Sequence, residues 1–237
     1  MSAPLPSFWV VIPAAGSGRR MGSTAVPKQY LRLGDRSVIE HAVAPFIDHP
    51  ACRGLVVVLS AQDERWSTLS ISTHIQIRTT IGGVERVDSV RAGLDALSTI
   101  ADPSDWVLVH DAARPCLDRG DLERLLIEVA DDEVGGLLAA PVVDTLKRAD
   151  DSRRVRETTE RAKLWRALTP QMFRLETLLR ALDAVRTRGV PTTDESQAVE
   201  SLGLRPKLVA GNADNIKITL QEDVVRAERI LWSRNNS

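Results

Sequence analysis

Residues 13–28 read PAAGSGRRMGSTAVPK, a stretch that combines Gly16, Gly18 and Gly22 with Arg19, Arg20 and Lys28. Glycines let a backbone turn sharply and let a ligand approach bare amides. Successive amides in such a turn form a concavity for anions. Cations crowded into a tight loop repel one another unless an anion sits between them. A strand-to-helix turn would account for the glycines alone; the cations point further, to a polyanion such as a nucleoside triphosphate. The P-loop pattern does not fit, because Lys28 follows Pro27. The dinucleotide fingerprint does not fit either, because Met21 stands where its third glycine belongs. That weighs against a nicotinamide-dependent oxidoreductase.

Three further residues could work with this loop. Asp111 follows an apolar run and could serve as a magnesium ligand beside a triphosphate, since Mg²⁺ takes one or two carboxylates plus phosphate oxygens. Arg114 could hold a second phosphate as a bidentate fork, or simply pair with Asp111. Lys217 lies between Ile216 and Ile218 in DNIKIT; if both isoleucines face the core, the lysine faces the other way. His41, His49, His74 and His110 have no metal-ligand spacing and read as structural. Cys116 lies near the presumed site without an evident base, so it reads as a buried thiol.

The elements that must carry these groups alternate. Apolar runs at 8–12, 55–59 and 106–110 read as buried strands, and 75–80 as a strand nearer an edge. A capping box at Ser37 and Glu40 predicts a helix over 38–47, and Gly82-Gly83 leads into one over 86–97. Residues 121–129 read as helix and 137–142 as strand. Such alternation means βαβ units and a mostly parallel sheet, an α/β fold with ligands at the carboxyl ends of its strands. The phosphate loop, Gly82-Gly83 and residues 111–114 all fall at that edge.

After Pro141 the pattern changes. Residues 145–149 and 155–159 flank Asp150-Asp151-Ser152 as two polar strands of a hairpin. A hairpin of this kind buries no core by itself, so it reads as a projecting arm, about 143–163, stable only against something else, for which a second copy of the chain is the simplest candidate; the alternative is a mobile surface hairpin. The chain returns to the body at 165–168. Helices follow over 175–185 and 194–202, then short strands at 207–209 and 216–218. A second box at Thr219 and Glu222 opens a last helix. No linker or repeat interrupts the chain, so 1–237 reads as one domain.

Composition sets the outer bounds. With 31 basic against 32 acidic residues the net charge is −1, which is not the basic excess of a nucleic-acid binder. Two cysteines imply no disulfide framework. No signal peptide and no apolar run near the ~18 residues of a membrane span are evident, so the cytoplasm is expected.

Taken in order, PAAGSGRRM, PKQY, GG-x-x-R-x-DSV at 82–90, HDAARP at 110–115, Thr169-Pro170-Gln171, TDE at 193–195 and ADNIKIT at 213–219 resemble the 2-C-methyl-D-erythritol 4-phosphate cytidylyltransferases. The resemblance implies a Rossmann-like nucleotidyltransferase fold whose arm joins two subunits. It implies transfer of CMP from CTP to methylerythritol phosphate in non-mevalonate isoprenoid synthesis, with Mg²⁺ or another divalent cation. It places Pro13, Ala14, Ala15, Gly16, Gly18, Asp111 and Ala112 around the nucleotide, and Gly83 and Ser89 at the cytosine. Arg20, Lys28 and Lys217 would hold the phosphates. Arg114, Thr169, Thr193, Asp111 and Lys217 would meet the second substrate. Thr145 and Arg161, on the arm, would reach the neighbouring subunit's site, with Arg161 counted as catalytic. Val84 departs from the family, where a polar or acidic residue can stand. A length of 237 leaves no room for the fused cyclodiphosphate synthase found in some relatives. A cytidylyltransferase for another polyol phosphate, such as ribitol 5-phosphate, is the alternative on the same scaffold; a non-catalytic nucleotide sensor would leave Lys28 and Lys217 without a purpose.

Overall fold

The structure, a computed structural model, describes residues 5–16 and 26–236. Its first strand, β1 (Phe8–Pro13), runs inside the main sheet. Two short strands, β2 (Arg32–Leu33) and β3 (Arg36–Ser37), lead to α1 (Val38–Val43). Next come β4 (Cys52–Leu59), β5 (Ile77–Ile81), α2 (Arg86–Leu97), β6 (Trp106–Val109), α3 (Arg119–Val129) and β7 (Gly135–Pro141). The arm is β8 (Leu146–Ala149) and β9 (Val155–Thr159). The chain ends with β10 (Trp165–Arg174), α4 (Leu175–Arg188), α5 (Glu195–Glu200), β11 (Lys207–Ala210) and α6 (Gln221–Asn235).

Among the described residues, seven strands form one sheet in the order β11-β7-β10-β6-β1-β4-β5. All neighbours are parallel except β10, which runs antiparallel to both β6 and β7. The expected α/β sheet is therefore present, with β5 at an edge. Alternation along β1 divides the core. Phe8, Val10 and Ile12 join Phe46, Val57, Leu108 and Leu125 on one face. Val11 joins Val56, Val58, Leu94, Val107 and Leu178 on the other. Both faces are thus covered, as a parallel sheet requires. A third cluster seats α6 through Ala227 and Ile230 against Leu33, Ile216 and Ile218.

Four expectations are corrected. α1 stops at Val43, short of residue 47, and the chain continues in turns to Asp48 at φ 60°. Residues 216–218 are not a strand, although Ile216 and Ile218 are buried and Lys217 is not. The last capping interaction falls one residue later: the Asp223 carboxylate, not that of Glu222, accepts from the amides of Thr219 and Leu220. Finally, residues 165–168 open a ten-residue strand in the middle of the sheet, which the sequence pattern does not signal. A break in its pairing between Ala167 and Gln171 sets Thr169 beside the end of β6.

Candidate active site

The end of β1 opens the site. Gln29 donates to the carbonyl of Ala14 at 2.8 Å and to that of Gly16 at 3.3 Å, fixing the start of the loop from the short helical turn Lys28–Tyr30. The Gly82 amide bonds to Leu59 at the end of β4. A Cβ on Gly82 would stand 2.6 Å from Ser89 Oγ and 2.8 Å from Ala15 Cβ, so glycine is what lets this turn close on the loop.

A pocket of about 320 Å³ lies between these segments. Pro13, Ala14, Ala15, Gly16, Lys28, Gly83, Arg86, Ser89, Asp111, Ala112 and Lys217 all line it. Four segments distant in sequence thus meet at the carboxyl edge of the sheet. Gly18 and Arg20 lie outside the described residues.

Asp111 is the electrostatic centre of this wall. Its Oδ1 accepts from Arg86 Nε at 3.0 Å, its Oδ2 lies 2.8 Å from Lys217 Nζ, and Arg114 Nε is 3.6 Å from Oδ2. Burial alone would raise this carboxyl; the Arg86, Lys217 and Arg114 cations outweigh it and hold the group well below the usual carboxylate range. Arg86 in turn forks onto Glu195, with Nη1 to Oε1 at 2.6 Å and Nη2 to Oε2 at 3.0 Å. Burial disfavours the Arg86 charge, but Glu195 and Asp111 more than restore it.

Behind Asp111 a second set of bonds holds the turn. The Asp111 amide donates to Thr169 Oγ1 at 3.1 Å. His110 is fully buried, and burial lowers it to about 4, against the opposing bond to Arg114. In that neutral state Nε2 donates to the Arg114 carbonyl at 3.1 Å and Nδ1 accepts from the Thr169 hydroxyl at 2.9 Å. Burial also pushes the Cys116 thiol up to about 12, in keeping with a structural role.

The remaining expected residues lie elsewhere. The Arg114 guanidinium donates to the carbonyls of Asn215 at 2.6 Å and Ala167 at 3.5 Å, behind the pocket wall. Thr193 bonds to Gln197 through its amide and its hydroxyl. Thr145 and Arg161 are exposed on the arm, where Arg161 donates to the Val143 carbonyl. Arg86 and Glu195, to which the sequence alone assigns no role, are central to the network. Each stands in one of the family motifs, but they are 109 positions apart and only the fold pairs them.

For a divalent cation, the described residues include no converging group of three or more His, Cys, Asp or Glu. Asp111, the carboxylate expected as a metal ligand, already has Arg86 on one oxygen and Lys217 on the other. With one carboxylate at hand, a cation here would draw its remaining ligands from the phosphates of a bound nucleotide. No helix among the described residues is long and apolar enough to cross a membrane.

The family model described as 2-C-methyl-D-erythritol 4-phosphate cytidylyltransferase matches residues 8–233. The protein of that name from Pseudomonas aeruginosa strain UCBPP-PA14 is 54% identical over 229 residues, which cover 96% of this chain and 97% of its own. The one from Pseudomonas fluorescens strain SBW25 is 52% identical over 225 residues, covering 94% and 95%. Among solved structures, a 4-diphosphocytidyl-2C-methyl-D-erythritol synthase superposes with a TM-score of 0.82 at 38% identity, covering 97% of this chain and all of that one. The cytidylyltransferase from Thermus thermophilus gives 0.78 at 31% identity, covering 94% and 98%.

Proposed function

The chain belongs to the 2-C-methyl-D-erythritol 4-phosphate cytidylyltransferase family, and from that premise we propose which residues carry its reaction. The reaction is cytidylyl transfer from CTP to 2-C-methyl-D-erythritol 4-phosphate in isoprenoid biosynthesis, with pyrophosphate released. One observation carries the assignment of roles: Lys28 and Lys217 line the same pocket as Ala14, Ala15 and Gly16. We assign the α-phosphorus of a triphosphate laid along the Ala14–Gly16 backbone to the space between the two lysines.

The nucleophile is a phosphate monoester, anionic near neutrality because its second pKa is about 6. No general base is needed. An oxygen of the monoester attacks the α-phosphorus while the bond to the β-phosphate oxygen breaks. The difficulty is bringing one anion onto another, and Lys28 and Lys217 offset it. Arg20 joins them in the triphosphate role, on the strength of the family resemblance. A divalent cation is counted with the nucleotide substrate, whose phosphate oxygens supply its ligands. Gly83 and Ser89 face the base. Arg114, Thr169 and Thr193 are assigned to the second substrate; each already holds a partner in the free chain, so binding uses the capacity those bonds leave.

The proposal extends to a homodimer of single-domain subunits in the cytoplasm. Val143, Val155 and Trp165 expose 73, 64 and 39% of their surface on or beside the arm, and among the described residues β8 and β9 pair only with each other. A second copy of the chain would cover them and bring Thr145 and Arg161 to its partner's site. The test of the activity is to incubate the protein with CTP, Mg²⁺ and either methylerythritol phosphate or ribitol 5-phosphate. Pyrophosphate release with the first and not the second is expected. Release only with the second would overturn the substrate assignment.

A further inference from the structure

Glu195 is 1% exposed and does not line the pocket, yet both its oxygens are spent on Arg86, a residue of the pocket wall. It opens α5, whose start is already tied to the sheet without it: Gln171 donates to Asp194 at 3.0 Å and accepts from the Ser196 amide at 2.7 Å. Two carboxylates, Glu195 and Asp111, face three cations, Arg86, Lys217 and Arg114.

The way the guanidinium is divided matters. An arginine fork matches a carboxylate best when two of its nitrogens bind both oxygens. Glu195 takes the end-on fork of Nη1 and Nη2, and Asp111 receives Nε on Oδ1 alone. Oδ2 carries Lys217 at 2.8 Å, with Arg114 Nε farther off at 3.6 Å. Without Glu195 holding it, the guanidinium can turn toward Asp111 and bring a second N–H onto Oδ2, where it competes with the lysine.

We propose that Glu195 is a positioning residue: by occupying the Arg86 fork it keeps Asp111 Oδ2 on Lys217, and so holds the Lys217 ammonium in place for phosphoryl transfer. The last clause rests on the function proposed above; the pairing itself does not.

The test separates the two. Parent and Glu195→Gln are treated with limiting acetic anhydride, and each lysine is followed by mass spectrometry. Freeing the lysine from one charge-assisted hydrogen bond should speed Lys217 labelling by about threefold or more, with the other lysines unchanged. Glu195→Asp, one methylene too short to fill the fork from the same backbone position, should shift Lys217 in the same direction and guards against a Gln variant that fails to fold. An unchanged Lys217 rate in a folded variant overturns the proposal, whatever the substrate. In turnover, kcat of Glu195→Gln should fall about tenfold at saturating substrates, the cost of a displaced catalytic group. In a Lys217→Gln background the same substitution should cost less than about twofold more. Equal losses in both backgrounds, or a lowered melting temperature with unchanged kcat, would mean that Glu195 only anchors α5. A parent that releases no pyrophosphate defeats the activity assignment, while the labelling still decides the pairing.

Discussion

Lys28 lies half-buried in a ligand loop and belongs to no apolar cluster, so its removal separates charge from folding. Lys28→Ala should lower kcat by roughly two to three orders of magnitude, the effect of deleting one preorganised electrostatic contact. Its melting temperature should match the parent's. Turnover within about threefold of the parent would place Lys28 away from the α-phosphate. His110 supplies a pH test of the wall behind the site. Burial lowers it from 6.5 to about 4, so between those values the unfolded chain binds a proton that the folded chain refuses. Stability therefore falls as the pH drops through that window, by about 1.4 kcal/mol per unit for this group. Burial lowers His49 too, in the same sense. The Asp111 contribution, present above its unfolded value, is lost only at lower pH. Urea midpoints at pH 7 and pH 5 should show the loss in the parent and a smaller one in His110→Gln; equal losses would assign the slope elsewhere.

At the scale of elements, close approach decides more than propensity. Gly93 in α2 rests on β1 and β4: a Cβ there would stand 2.5 Å from Val11 Cγ1 and 2.9 Å from Val58 Cγ2. Both valines are fully buried and β-branched, so neither can swing aside. Alanine gains about 1 kcal/mol in helix propensity, but overpacking costs about 1–3 kcal/mol. Gly93→Ala should therefore lower the melting temperature by a few degrees in calorimetry, at roughly 2–4 °C per kcal/mol for a chain of this size. A raised melting temperature would show that the sheet gives way. α2 was legible to the residue because a glycine pair precedes it and its apolar face repeats. β10 was not, because Pro170 in its middle has no amide N–H to give a ladder and so argues against a central strand; only the neighbours β6 and β7 reveal it.

At the scale of the whole molecule the proposed dimer makes a quantitative demand. If each site takes Lys28 from one subunit and Arg161 from the other, a mixed dimer of Lys28→Ala with Arg161→Ala has one doubly defective site and one intact site. Random re-pairing makes half the dimers mixed, so about a quarter of the parent activity should return after the two variants are denatured together and refolded. Each variant alone should stay nearly inactive. No recovery, with exchange confirmed by native mass spectrometry, would place Arg161 in its own subunit's site or in none, and leave the arm a clamp.

The sequence by itself determined the α/β class, the run of parallel strands and the edge at which ligands gather. Hydrophobic periodicity and glycine placement are local properties, and they survive without knowledge of neighbours. It also placed Lys28 and Asp111 at a common edge, because the loop and the turn that carry them each follow an apolar run, whereas Lys217 joined them only through the family resemblance. Which partners those charges hold was decided by tertiary structure alone. Arg86 and Glu195 are 109 residues apart, and no spacing rule joins two groups on different helices. The same holds for Arg114 and Thr169. Pairing with Asp111 was one of the two sequence readings of Arg114, but its bond to Asn215, and those of the Thr169 hydroxyl to His110 and Asp111, are made only by the fold. A long-range pairing exists only once the sheet has brought its strand ends together, and there burial makes each unpaired charge costly enough to fix its partner.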